Sequence, residues 1–264
     1  MTAYICVTCG VQQAPSAAPP AACPICDDFR QYVPAEGQRW TAVEELRAER
    51  RQEVRELEPG LHGIGVEPAL GIGQRALLVR TAQGNLLWDC TPLLDPEAVR
   101  ALGGVAAIAI SHPHFYSTMA EWSRQFGAPV WLPRADAGFR MRTDFEIVEW
   151  EGEAAPLPGL RLVQAGGHFP GNAVLQWPAG AGGRGAIFTG DTVSVAGDRR
   201  WVSFMLSYPN LIPLGPRALD RLLAALEPLE YVRLYSSWWD KVVESGAKAA
   251  VRRSGARYLE AIRG

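Results

Sequence analysis

The chain has 264 residues, 48% of them hydrophobic and 20% charged, with a formal net charge of -2 at pH 7. That length favours one large domain with a small appendage over two equal domains. The near-neutral charge draws in neither nucleic acid nor an anionic membrane surface, and no stretch approaches the roughly 18 apolar residues of a membrane span. Met1 to Cys9 holds no basic stretch followed by an apolar one, so no signal peptide is read there and the cytoplasm is the expected location.

In chain order, four of the five cysteines come first, as two tight pairs, Cys6/Cys9 and Cys23/Cys26; the fifth is Cys90. In a chain expected in a reducing compartment, paired CxxC elements bind metal more often than they form disulfides. Each CxxC turn converges two sulfurs, and two such turns complete a tetrahedron that suits zinc or iron. The segment between the pairs is Ala/Pro-rich, with Pro15, Pro19 and Pro20, and cannot form a core of its own. Residues 1–36 are therefore read as a metal knuckle that folds with its ion bound.

Residues 37–59 are read as a helical connector. Thr41 and Glu44 have capping-box spacing, and Val43, Leu46, Val54 and Leu57 give one apolar stripe that predicts a helix to about Leu57, stopped by Pro59-Gly60. From residue 60 the pattern changes. Ala76–Arg80 and Leu86–Asp89 read as strands around a turn, and Asp95 caps a short helix to about Leu102. Val105–Ile110 is the apolar run of a buried strand. A helix follows over 117–126 and a strand over 129–132. Further strands are expected at 161–165, 173–177 and 185–188, and helices at 216–226 and 241–262. That order predicts an α/β (α+β) fold of sheets sandwiched by helices.

The chain has four histidines. His112 and His114 flank Pro113 directly after the buried strand, and positions i and i+2 of an extended segment project to one side, so the pair can pinch one ion. His168 lies in the turn Gly166-Gly167-His168-Phe169-Pro170-Gly171. Asp191 follows the apolar strand 185–188 in Thr189-Gly190-Asp191, where a carboxylate serves as a metal ligand or as a turn former.

Two resemblances follow from these residues. Tyr4-x-Cys6-x-x-Cys9-Gly10 and Cys23-Pro24-x-Cys26 resemble the knuckles of a short rubredoxin-like or zinc-ribbon module; this implies a tetrathiolate site and leaves zinc and iron open. The apolar strand followed by HxH, the later Gly-His with Pro-Gly, and the strand ending in Gly-Asp resemble the metallo-β-lactamase superfamily over roughly residues 60–240. Asp89-Cys90-Thr91 fits that family's early Asp-x-Thr-like element. The resemblance implies an αββα sandwich over 60–264 with metal at one edge, and the whole chain is similar to a glyoxylase-like hydrolase branch that carries the same cysteine-rich head. The family's motif continues His-x-His-x-Asp-His, whereas this chain has Tyr116 and Ser117 at the last two positions and no histidine near 235–239. The expected core site is thus a single zinc or iron ion held by His112, His114 and His168, with Asp191 as a fourth ligand or a close partner.

An ion with three histidines and an open position lowers the pKa of bound water to about 7, which supplies a nucleophile for an ester, lactone or thioester. Asp191 is the candidate that orients it, and Tyr116 a candidate donor to an oxyanion. The superfamily's persulfide dioxygenases imply another reading, a non-haem iron oxygenase using His112, His168 and Asp191. A non-catalytic binding module is the third. The expected partner is a small-molecule substrate. Trp201, Phe204, Tyr208, Trp238 and Trp239 are candidates to border its pocket, Arg199-Arg200 reads as a solvated pair, and Cys90 reads as a buried small residue.

Overall fold

The structure is a computed structural model that describes residues 1–263. Two sheets form its centre. The seven-stranded sheet runs, in spatial order, through Arg51–Glu58, Leu61–Glu67, Ala76–Thr81, Gly84–Trp88, Ala107–Ala109, Val130–Pro133 and Ile147–Trp150. Its first four strands pair antiparallel and the last three join in parallel. The six-stranded sheet is built from Glu153–Ala154, Arg161–Gln164, Ala173–Trp177, Ala186–Phe188, Arg233–Tyr235 and Val242–Val243.

Strand periodicity explains the layers. Successive side chains point to opposite faces, so Leu77, Val79, Ala107 and Ala109 face inward and meet Leu162, Leu175, Ala186 and Phe188 of the second sheet in one buried cluster. Their neighbours Ala76, Leu78, Ile108 and Ile110 face outward and pack with Met119 and Trp122 of the helix Met119–Phe126. On the far side, Val174, Ile187 and Leu234 pack against the helices Pro216–Leu226 and Ala247–Arg263. The order is helix, sheet, sheet, helix, which is the αββα sandwich expected from the sequence. No helix among the described residues is long and apolar enough to cross a membrane.

The connector departs from expectation. Its helix covers only Val43–Glu49, and Arg51–Glu58 is an edge strand of the large sheet. Val54 packs on the outer cluster and Leu57 on the inter-sheet cluster, so the supposed single stripe divides between two faces. Pairing with Leu61–Glu67 satisfies that backbone, and this tertiary contact overrides a helical pattern that rested on capping-box spacing and four apolar positions. Thr41 does not cap the helix: Ala42 stands at the N-cap, and the Thr41 hydroxyl donates to Glu45 at 2.8 Å. The last helix also starts later than expected, at Ala247, because Val242–Val243 pairs with Leu234 and Tyr235 as a strand. The sandwich therefore begins near residue 51 rather than 60. The cysteine head extends to Thr41, since Ile5–Cys6 pairs with Trp40–Thr41.

Candidate metal centres

The four head cysteines are free thiols, and all four sulfurs lie within 4.8 Å of one another. Cys6 and Cys26 are 3.6 Å apart at sulfur, and Cys9 and Cys23 are 3.7 Å apart. These separations are far beyond a disulfide bond of about 2.05 Å. They match the edge, about 3.8 Å, of a tetrahedron whose metal–sulfur bonds are about 2.3 Å. The side-chain amide of Gln38 donates to the Cys6 sulfur at 2.9 Å, a donor that stabilises thiolate charge. The residues fit a four-sulfur ion.

The second centre is assembled at one edge of the sandwich. The strand Ala107–Ala109 leads into Ser111 and His112; His112 is fully extended, and Pro113–Phe115 then turns in a 3-10 helix. The loop carrying His168 is closed by Asn172, whose carbonyl accepts from Ala165 and whose side chain accepts from Phe169. The amide of Ala173 donates to the Ser111 carbonyl at 2.8 Å, tying this loop to the HxH segment. Asp191 follows the strand Ala186–Phe188. Gly190 has φ +57°, and a Cβ there would lie 2.6 Å from the Ser111 hydroxyl, so only glycine lets this turn close on the site.

One donor atom from each of His112, His114, His168 and Asp191 lies within 4.8 Å of all the others. His112 Nε2 is 3.2 Å from Asp191 Oδ1, His168 Nε2 is 4.0 Å from Asp191 Oδ2, and His114 Nδ1 faces His168 Nε2 at 3.1 Å. All four side chains are buried, and both His112 Nε2 and Asp191 Oδ1 lack any hydrogen-bond partner. Buried polar atoms are ordinarily paired, and a cation among these donors satisfies them together. Burial, reinforced by the neighbouring imidazoles, pushes His114 well below the usual histidine range. Burial likewise lowers His168, to about 4, against the opposing pull of Asp191. Burial alone would raise Asp191, but the facing His112 and His168 outweigh it and hold the carboxyl below its usual range. Neutral imidazoles and an ionised carboxylate are the protonation states a metal requires. The residues fit one divalent ion.

Ser111 supports the site from behind, a role the sequence did not announce. Its hydroxyl donates to Asp89 at 2.8 Å and lies 2.9 Å from His112 Nδ1. Asp89 is fully buried, and burial raises its carboxyl to about 7 against the hydrogen bonds from Ser111.

A cavity of about 300 Å³ opens onto His114, His168 and Asp191, with Tyr208 and Trp238 on its wall. The other aromatic candidates lie elsewhere. Trp201 stacks under Arg257, Phe204 is buried in the outer helical cluster, and Trp239 covers Gly63 and Gly65. Tyr116 does not face the cavity: its buried hydroxyl reaches the Asp136 carbonyl at 3.5 Å, because the 3-10 turn swings it away from the donors. His62 lies on Leu61–Glu67, paired with Glu56 and Leu78, and is outside the donor group. Cys90 is buried, and burial pushes its thiol up; Arg199 and Arg200 are exposed.

The chain is 44% identical over 268 residues to the uncharacterized protein YmaE of Bacillus subtilis (strain 168), spanning 99% of this chain and 97% of that protein. It belongs to the YmaE family. No protein-family model matches it. Among solved structures it is similar to VMB-1 (TM-score 0.57, 13% identity, 80% of this chain and 98% of the other). It is also similar to the metallo-β-lactamase FIM-1 from Pseudomonas aeruginosa in its mono-zinc form (TM-score 0.57, 14% identity, 80% and 96%). A third is a metallo-β-lactamase from Erythrobacter litoralis (TM-score 0.53, 20% identity, 83% and 100%). This YmaE relative thus has the metallo-β-lactamase fold with a four-cysteine cluster at its N-terminus.

Proposed function

We propose that the chain is a metal-dependent hydrolase that binds a single ion through His112, His114, His168 and Asp191 and cleaves an ester, lactone or thioester of a small-molecule substrate. The observation that carries this reading is the convergence of three imidazoles and one carboxylate, all within 4.8 Å, with His114, His168 and Asp191 open to a cavity of about 300 Å³. A bound divalent ion would supply Lewis acidity and lower the pKa of a water molecule to about 7. The chain's own part is to keep His114 and His168 neutral by burial, to hold Asp191 ionised where it can orient a water, and to surround the carbonyl with a largely apolar wall. At the second-site positions, Tyr116 faces Asp136 and the Ser117 hydroxyl faces the Gly10 carbonyl. Neither side chain is a metal ligand, which favours one ion over two. Zinc suits this reading in both the head and the core, since neither site then needs redox chemistry.

The oxygenase reading uses only His112, His168 and Asp191. The approach of His114 Nδ1 to 3.1 Å from His168 Nε2 favours a four-donor set over that triad. The test is turnover of a panel of aryl esters, lactones and thioesters by zinc-loaded protein, with oxygen uptake on a persulfide measured in parallel on iron-loaded protein. Hydrolysis that His168→Ala abolishes supports the reading. Oxygen uptake without hydrolysis overturns it.

A further inference from the structure

The metal cavity is walled by two parts of the chain that are distant in sequence. Ile72, Tyr208 and Trp238 come from the sandwich, while Thr8, Gln31 and Tyr32 come from the cysteine head. Thr8 lies inside the first CxxC turn, and Gln31 and Tyr32 follow the second, so the four-sulfur site fixes the loops that carry them. The head is also fastened at this seam. Asn210 donates to the carbonyls of Phe29 and Gln31 at 2.9 and 2.8 Å, and Ser207 donates to that of Arg30 at 3.0 Å. The guanidinium of Arg30 sits 4.1 Å over the ring of Phe169, next to His168.

The chemistry of the wall is specific. No Lys or Arg among the described residues lines the cavity itself; the nearby Arg30 guanidinium lies over the Phe169 ring and 3.5 Å from the Asp28 carboxylate. The wall also carries apolar surface: Tyr32, Ile72, Tyr208, Pro209 and Trp238 line the cavity beside the donors. Tyr32 is half-exposed, so its ring has free surface that an apolar group of a ligand can cover.

We infer that the cysteine head is the substrate-selecting wall of the core site, and that Tyr32 and its apolar neighbours receive the uncharged, apolar group of the substrate while the scissile carbonyl lies at the donors. This rests on the hydrolase reading above and names its substrate class. The head metal is then a structural part of the specificity pocket rather than a separate module.

The test uses full-length metal-loaded protein and two metal-directed probes, acetohydroxamate and octanohydroxamate, with affinities measured by calorimetry and metal content determined in each variant. The wild type is expected to prefer the octanoyl probe. Tyr32→Ala, a half-exposed position whose loss does not threaten the fold, is expected to weaken the octanoyl probe about tenfold while leaving acetohydroxamate and both metals unchanged. Equal affinities of the octanoyl probe for wild type, Tyr32→Ala and Ile72→Ala would overturn the inference and leave the hydrolase reading standing. Failure of acetohydroxamate to bind the wild type would overturn both.

Discussion

Asp89 accepts two hydrogen bonds from Ser111, one from the backbone amide and one from the hydroxyl, both at 2.8 Å. The hydroxyl has one proton, which it gives to Asp89, so its lone pair is left for the Nδ1 proton of His112 at 2.9 Å. That fixes the His112 tautomer and leaves Nε2 bare toward Asp191. Partners behind a metal-binding histidine set ring orientation and basicity, and losing one costs about 10- to 100-fold in metal affinity. Ser111→Ala is therefore expected to weaken the core ion by that factor and leave the head ion untouched, measured by competition with a chelator. Unchanged core affinity would show that the chain from Asp89 to His112 does not position the ring.

Gly71 marks a close contact between head and sandwich. Its φ is +62°, and a Cβ there would lie 2.8 Å from the Cys9 carbonyl carbon and 2.9 Å from the Gly10 nitrogen. Both neighbours are backbone of the CxxC turn and cannot rotate away. Gly71→Ala should destabilise the protein by about 2–4 kcal/mol, from overpacking together with a left-handed backbone, and should lower metal retention in the head. Thermal unfolding and sulfur-to-metal absorption of the cobalt form measure the two effects; a wild-type melting temperature would refute the close docking.

Arg142 is a second clamp. Its side chain is almost fully buried and donates to Gln12 of the head, to Glu121 at 2.8 Å and to Asp144 at 2.8 and 3.0 Å. Arg142→Ala leaves Gln12 without this donor, but Glu121 and Asp144 keep Arg124 as a partner and remain partly in water, so a loss of about 1–3 kcal/mol is expected rather than the full cost of a broken buried pair. The loss should depend on pH. The Arg142 guanidinium lowers Asp144 to about 2, below its unfolded value of about 3.9. Its contribution is therefore complete above pH about 4 and disappears as the pH falls through about 2. Denaturant titrations at pH 7 and pH 3 should show a smaller difference between wild type and variant at the lower pH. An equal or larger difference there would contradict the pairing.

Tyr116→Phe removes only a hydroxyl held at 3.5 Å from the Asp136 carbonyl. A bond that long contributes little, so stability should change by less than about 1 kcal/mol and core metal content should not change. Loss of the core ion in this variant would place the phenol in the site after all.

The sequence displayed the donors well because metal chemistry restricts residue type. Four paired cysteines, an HxH at a strand end, and a Gly-Asp after another strand are local patterns, and each arrived where its local pattern put it. The layers were legible for the same kind of reason: runs such as Val105–Ile110 have no soluble alternative to burial. Arg51–Glu58 departs from the helical pattern because Val54 and Leu57 continue an apolar stripe only by spacing, whereas the partner that makes it a strand, Leu61–Glu67, pairs with it across the turn at Pro59-Gly60, which by sequence is only a helix stop. Tyr116 was placed by family position, and the 3-10 turn after His112 rotates it away. The contribution of Thr8, Gln31 and Tyr32 to the cavity had no sequence signal, since they lie 82 or more residues before His114 and His168 and no periodicity spans that distance.

A count of ions tests the single core site most directly. Metal analysis of full-length wild type and of His112→Ala, each normalised to protein, should give two ions per chain in the wild type and one in the variant, with the remaining ion showing tetrathiolate spectra. Three ions in the wild type, or a variant that keeps both or loses both, would contradict a single core ion independent of the cysteine head.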